Sequence, residues 1–193
     1  MRRQKIMALG ATLTVASCVL AAVAIAGTIR GSQDADVLTG TGGSDTIVAK
    51  KGDDRIDALA GNDAVNAGKG DDSADGGDGD DGLKGKKGAD SLTGEAGADR
   101  LSGEDGADDL DGGDAADAID GGKGPDAIDG GPGSDSIKSR GDGNKADIVN
   151  CGEDEDGTDV DVVEADKKDV VAADCETVDR PGKPDKPAKP PKA

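Results

Sequence analysis

Between Gly40 and Lys138 the hydrophobic positions of this chain are sparse and evenly spaced, one aliphatic side chain to every nine residues. The series runs Ile47, Ile56, Val65, Leu83, Leu92, Leu101, Leu110, Ile119, Ile128 and Ile137, with only Ala74 falling short. A single aliphatic between polar neighbours suits a very short strand that points one side chain inward. The six residues separating successive strands are rich in glycine and aspartate, which suits a turn. Two positions before each aliphatic stands an aspartate: Asp45, Asp54, Asp63, Asp72, Asp81, Asp90, Asp99, Asp108, Asp117, Asp126 and Asp135. Two positions before each aspartate stands a glycine, from Gly43 to Gly133, broken only by Ala115.

One unit, Gly76-Gly77-Asp78-Gly79-Asp80-Asp81-Gly82-Leu83-Lys84, reads G-G-x-G-x-D-x-U-x in full. That pattern predicts a parallel β-helix type of repeat that binds calcium. The expected fold is all-β, a right-handed parallel β-roll over residues 31–138, with two nonapeptides to each coil. Each turn then stacks on the turn 18 residues away rather than on the next one. Gly31 to Thr39 reads as a degenerate lead-in, with Asp36 and Leu38 already in phase and Asp34 at the glycine position. The first units carry Ala49, Ala58 and Ala67 where every unit from Gly76 onward has glycine, so the later units are expected to make the better sites.

Composition sharpens this picture. The chain has 193 residues, no Phe, Tyr, Trp or His, 42 acidic residues and a formal charge of −19. Such low hydrophobicity and high charge describe a disordered chain unless something offsets the charge, so folding is expected to depend on metal. A polyanion such as nucleic acid would be repelled. The lack of His removes His-based triads and His-ligated metal sites, and no phosphate-loop or nucleophile-elbow motif occurs. An enzyme is not expected, and no small-molecule substrate can be identified.

Calcium is a hard cation that takes six to eight oxygens from carboxylates and carbonyls. Glycine-rich turns leave their carbonyls unshielded, and the eleven aspartates add carboxylates. On the 18-residue stacking, an ion would draw on pairs such as Asp63 with Asp81 or Asp99 with Asp117. The expected cofactor is therefore Ca2+, several ions in two rows. The competing reading, in which each aspartate only caps its own turn, does not account for eleven in one register.

Outside the repeats, residues 1–26 read as a signal peptide: Arg2, Arg3 and Lys5, an apolar run from Ile6, and Ala24-Ile25-Ala26 before the cleavage point. A secreted protein is expected, the alternative being anchorage at the outer cell surface by an uncleaved N-terminal helix or a lipidated Cys18. Register slips after Lys138. Strand-like pieces resume at Asp147-Ile148-Val149, Asp161-Val162-Val163 and Asp169-Val170-Val171 within a capping segment, 139–178. Removal of the leader leaves Cys151 and Cys175, an even pair that suggests one disulfide in an exported chain. Residues 179–193 are rich in Pro and Lys and read as an extended tail, with association to the cell envelope as a further expectation.

The array resembles the RTX, or haemolysin-type, calcium-binding repeats of secreted bacterial proteins. The resemblance implies the parallel β-roll and calcium ligation by the eleven aspartates above. Segments Val149-Asn150-Cys151-Gly152, Val162-Val163-Glu164-Ala165-Asp166 and Asp174-Cys175-Glu176 are similar to the closing turns of compact proteins of that type. The chain departs from the pattern at Ala115, at Lys50, Lys51, Lys86 and Lys87 within two turns, and in having no toxin, protease or lipase domain before the repeats.

Overall fold

A computed structural model describes residues 27–140, 145–152 and 160–180. The signal-peptide reading of 1–26 and all of the tail after Arg180 lie outside these residues. Among the described residues there are seventeen strands and no helix. The first half contains β1 (Thr28–Arg30), β2 (Val37–Thr39), β3 (Thr46–Val48), β4 (Arg55–Asp57), β5 (Ala64–Lys69), β6 (Ser73–Asp78), β7 (Gly82–Lys87), β8 (Ser91–Ala96) and β9 (Arg100–Asp105). The second half contains β10 (Asp109–Asp111), β11 (Ala118–Lys123), β12 (Ala127–Asp129), β13 (Ser136–Ser139), β14 (Ile148–Asn150), β15 (Val162–Ala165), β16 (Val170–Val171) and β17 (Thr177–Asp179).

Odd-numbered strands form a nine-stranded sheet and even-numbered strands an eight-stranded one, each in chain order. Every ladder is parallel, and through the repeats each residue pairs with the one 18 positions away: Ile47 with Val65, Val65 with Leu83, Ile56 with Ala74. Two nonapeptides therefore make one coil, as the spacing predicts. The fold is a parallel β-solenoid of the β-roll type.

Because the aliphatic of each unit points inward, the two sheets face each other across one thin core. Ile47, Ile56, Leu83, Leu92, Leu110, Ile119 and Ile137 are at most 2 % exposed. Ile29, Leu38, Val171 and Val178 extend the same core toward its two ends, where each has a neighbour on one side only.

Central strands are longer than the three residues the pattern suggests. Strands β5 to β9 and β11 each run six residues, crossing from one nonapeptide into the next. The bend that allows this falls at the second position of the unit, where φ is positive at Gly77 (91°), Lys86 (87°) and Glu95 (72°). The ladder resumes beyond the bend, Gly77 opposite Glu95 and Lys86 opposite Glu104. At the fourth position successive coils approach so closely that a Cβ on Gly88 would stand 1.8 Å from the Gly70 carbonyl oxygen. Only glycine fits there without distortion, and Ala115 takes that position at φ 84°.

The slip of register after Lys138 does not end the solenoid. Ile128 pairs with Val149, Ile137 with Val163 and Val163 with Val178, so extra residues are taken up between strands. Sheet pairing runs through Asp179. Arg180 then donates to the carbonyl oxygens of Asp166 (3.0 Å) and Asp169 (3.2 Å). Cys151 and Cys175 form a disulfide, with 5.3 Å between Cα atoms.

Candidate metal centre

The aspartate of each unit immediately precedes the outward residue that starts the strand, so its side chain turns in at the corner of the coil. All eleven predicted aspartates are buried, between 1 and 4 % exposed. They stack into two columns, one per sheet. In the first, the Asp45 N–H donates to Asp63 Oδ1 (2.6 Å), Asp63 to Asp81 (2.7 Å), Asp81 to Asp99 (2.7 Å), Asp99 to Asp117 (2.7 Å) and Asp117 to Asp135 (2.8 Å). In the second, Asp54 donates to Asp72 (2.8 Å), Asp72 to Asp90 (2.9 Å), Asp90 to Asp108 (2.9 Å) and Asp108 to Asp126 (3.0 Å). The carboxylate thus caps the neighbouring coil 18 residues back, and at the start of the roll Asp45 also caps its own turn, its Oδ2 accepting from the Thr41 N–H at 2.6 Å.

One oxygen of each group does that work. The other, Oδ2, is buried without a hydrogen-bond partner in Asp54, Asp63, Asp72, Asp81, Asp90, Asp99, Asp108 and Asp117. A buried ionised oxygen with nothing to bond is costly, and eight in register ask for a common physical cause.

The first glycine of the unit shows what surrounds that oxygen. A Cβ on Gly94 would stand 2.3 Å from both Asp99 Oδ2 and the Gly112 carbonyl oxygen. The same point at Gly112 lies 2.4 Å from Asp117 Oδ2 and from the Gly130 carbonyl oxygen, and at Gly103 it lies 2.2 Å from Asp108 Oδ2 and 2.6 Å from the Gly121 oxygen. A carboxylate oxygen of one coil and a carbonyl oxygen of the next therefore face one gap, open only because the residue beside it has no side chain. Ala49, Ala58 and Ala67 carry a methyl group at this place in their units. Among the described residues no three acidic, His or Cys side chains converge. The donors are one carboxylate with main-chain carbonyls, a hard all-oxygen set that fits calcium and not a thiolate- or imidazole-seeking metal.

Without a cation the carboxyls resist ionisation. Burial pushes Asp81 and Asp90 up to about 7, and Asp72, Asp108 and Asp117 up to about 6. The N–H bond from the preceding coil opposes the shift in each case, and neighbouring carboxylates in the column add to it.

The columns extend past the predicted set at both ends. Asp36 donates to Asp54 Oδ1 (2.8 Å), Asp126 to Asp147 (2.9 Å), Asp135 to Asp161 (2.8 Å) and Asp147 to Asp169 (3.2 Å). Glu176 closes the first column by accepting from the Asp161 N–H at 3.0 Å. The nine-residue count misses Asp147, Asp161, Asp169 and Glu176. The signal that finds them is an acid two residues before Val149, Val163, Val171 and Val178. Cys151 replaces the first glycine of its unit, and its carbonyl oxygen would be 2.8 Å from a Cβ on Gly130, beside Asp135. The disulfide therefore holds a residue whose carbonyl faces the same row of gaps.

Residues 26–56, 39–74, 75–110, 102–137 and 111–144 match the family model of the RTX calcium-binding nonapeptide repeat. Comparison with curated proteins found no match.

Proposed function

The chain belongs to the RTX calcium-binding nonapeptide-repeat family, and from that premise we propose that it is an exported, non-enzymatic protein whose roll assembles only when calcium is bound. Calcium binding itself is what the repeat family carries. The finer reading assigns the ligands: Asp45, Asp54, Asp63, Asp72, Asp81, Asp90, Asp99, Asp108, Asp117, Asp126 and Asp135, each with carbonyls of the adjoining coil.

One observation carries this reading: at Asp81, Asp99, Asp108 and Asp117 the Oδ2 is buried, lacks a hydrogen-bond partner and faces a carbonyl oxygen across a gap. Bound calcium would supply the positive charge that allows these carboxylates to be ionised and buried together. The first glycines leave room for it, the column N–H groups orient each carboxylate, and the Cys151–Cys175 bridge staples the last coils. Extracellular calcium levels and an oxidising medium suit both the ion and the disulfide, which supports export.

Isothermal titration calorimetry of the purified protein tests the ligand assignment. Several ions per chain are expected, with the count reduced in D99N/D117N. Unchanged stoichiometry and affinity in that variant would contradict the assignment. Recovery of the chain in culture medium, beginning near Gly27, tests export.

A further inference from the structure

The solenoid sorts charge between its two outer faces. All eight lysines between residues 46 and 138 fall on the nine-stranded sheet or the bends that continue its strands. Over 46–51, 64–69, 82–87, 100–105, 118–123 and 136–140 there are ten Lys or Arg and three acidic residues. Over the corresponding stretches of the eight-stranded sheet, 55–60, 73–78, 91–96, 109–114 and 127–132, there are eight acidic residues and one base, Arg55. Because both sheets point their aliphatics into one core, these faces look in opposite directions. A chain of formal charge −19 thus carries one basic face and one acidic face.

Part of the basic face is neutralised internally: Lys86 pairs with Glu104, Lys87 with Asp105 (3.8 Å), Lys123 with Asp105 (2.6 Å), Lys138 with Asp120 (2.6 Å), and Arg140 with Glu164 and Asp179 (3.0 Å each). Lys51, Lys69, Lys84 and Arg100 have no ion pair among the described residues, and the three lysines are exposed. Lys51, Lys69 and Lys87 stand one coil apart, about 4.8 Å from strand to strand. Opposite, Asp57 and Asp75 stand one coil apart, as do Asp111 and Asp129, on strands of the same rise. A second copy of this chain therefore offers carboxylates at the pitch of the lysines, with a net charge over the counted stretches equal and opposite to theirs.

We propose that the calcium-loaded roll associates with further copies of itself, the lysine face of one against the aspartate face of the next. Such a contact joins two different surfaces, so it leaves a free face of each kind and builds open stacks rather than closed dimers. Each bound calcium removes two negative charges from the long-range repulsion between copies, which ties association to the ion. The proposal rests on the calcium reading above for the existence of the folded roll.

Analytical ultracentrifugation of the full chain tests it, with circular dichroism of the same samples reporting the fold. With calcium at low ionic strength, mass is expected to rise with protein concentration and to return to monomer in about 0.5 M NaCl, where charges are screened within a few ångströms. K51E/K69E/K84E is expected to stay monomeric, as is D57K/D111K/D129K. A mixture of the two variants is expected to associate pairwise, since the first keeps its acidic face and the second its basic one. A folded protein that remains monomeric throughout would overturn the proposal. So would association that survives the lysine reversals, which would point to calcium bridging acidic faces, or a monomer that binds anionic vesicles through these lysines. Absence of any calcium-induced fold would instead contradict the calcium reading.

Discussion

At Gly94 the absence of a single methyl group keeps a carboxylate and a carbonyl oxygen facing an open gap. G94A would place a carbon 2.3 Å from both Asp99 Oδ2 and the Gly112 oxygen. It is expected to weaken one calcium step about tenfold or more, roughly 1.4 kcal/mol, read by calorimetry. G82A is the matched control, because its Cβ would meet only the Asp63 carbonyl oxygen at 3.9 Å, an ordinary contact; its affinity is expected to match the parent. The carboxylates themselves set a pH dependence. Asp81 and Asp90 rise from 3.8 to about 7 in the metal-free fold. Their raised values favour that fold fully below the unfolded value, and the contribution is lost as pH rises through about 7. Metal-free protein is therefore expected to gain strand signal by circular dichroism on going from about pH 8 to about pH 5. Calcium affinity should fall over the same interval, because binding must displace protons. Opposite trends would contradict burial as the cause.

The coil of two nonapeptides is the element in which most of the sequence could be read. Aliphatic and aspartate recur at nine, the side chains of both point inward, and stacking at 18 follows. Strand length could not be read this way, because the chain bends with positive φ at Lys86 and Glu95 while its ladder continues, and neither residue type advertises that conformation. The last coils were only partly legible. Once 141–144 and 153–159 separate the strands the spacing is lost, although Asp147, Asp161 and Asp169 keep their place two residues before an aliphatic. The disulfide belongs to this part of the fold. Closing the loop between Cys151 and Cys175 is expected to contribute about 3 kcal/mol on the chain-entropy model. Reduction of the calcium-loaded protein should lower its denaturation midpoint and raise amide exchange first in β14 to β17. Uniform loss of protection along the roll would argue against a local staple.

At the scale of the whole molecule, charge decides what exists. The core is one aliphatic per nine residues with no aromatic side chain, and the columns bring like charges together, eight of the aspartates having no hydrogen-bond partner for Oδ2. The acidic total was plain from composition, but its division into a basic and an acidic face appears only when the chain is wound at 18 residues per coil. Lys50, Lys51, Lys86 and Lys87 read in a line as exceptions in two turns, whereas wound up they belong to one face with Lys69, Lys84 and Lys123. At neutral pH this roll is expected to form with calcium and not without it. Far-UV circular dichroism of the purified chain, first in EGTA and then in millimolar calcium at neutral pH, measures this. A disordered spectrum that converts to strand on adding calcium, and reverts with chelator, is the predicted result; identical strand content in both solutions would contradict it.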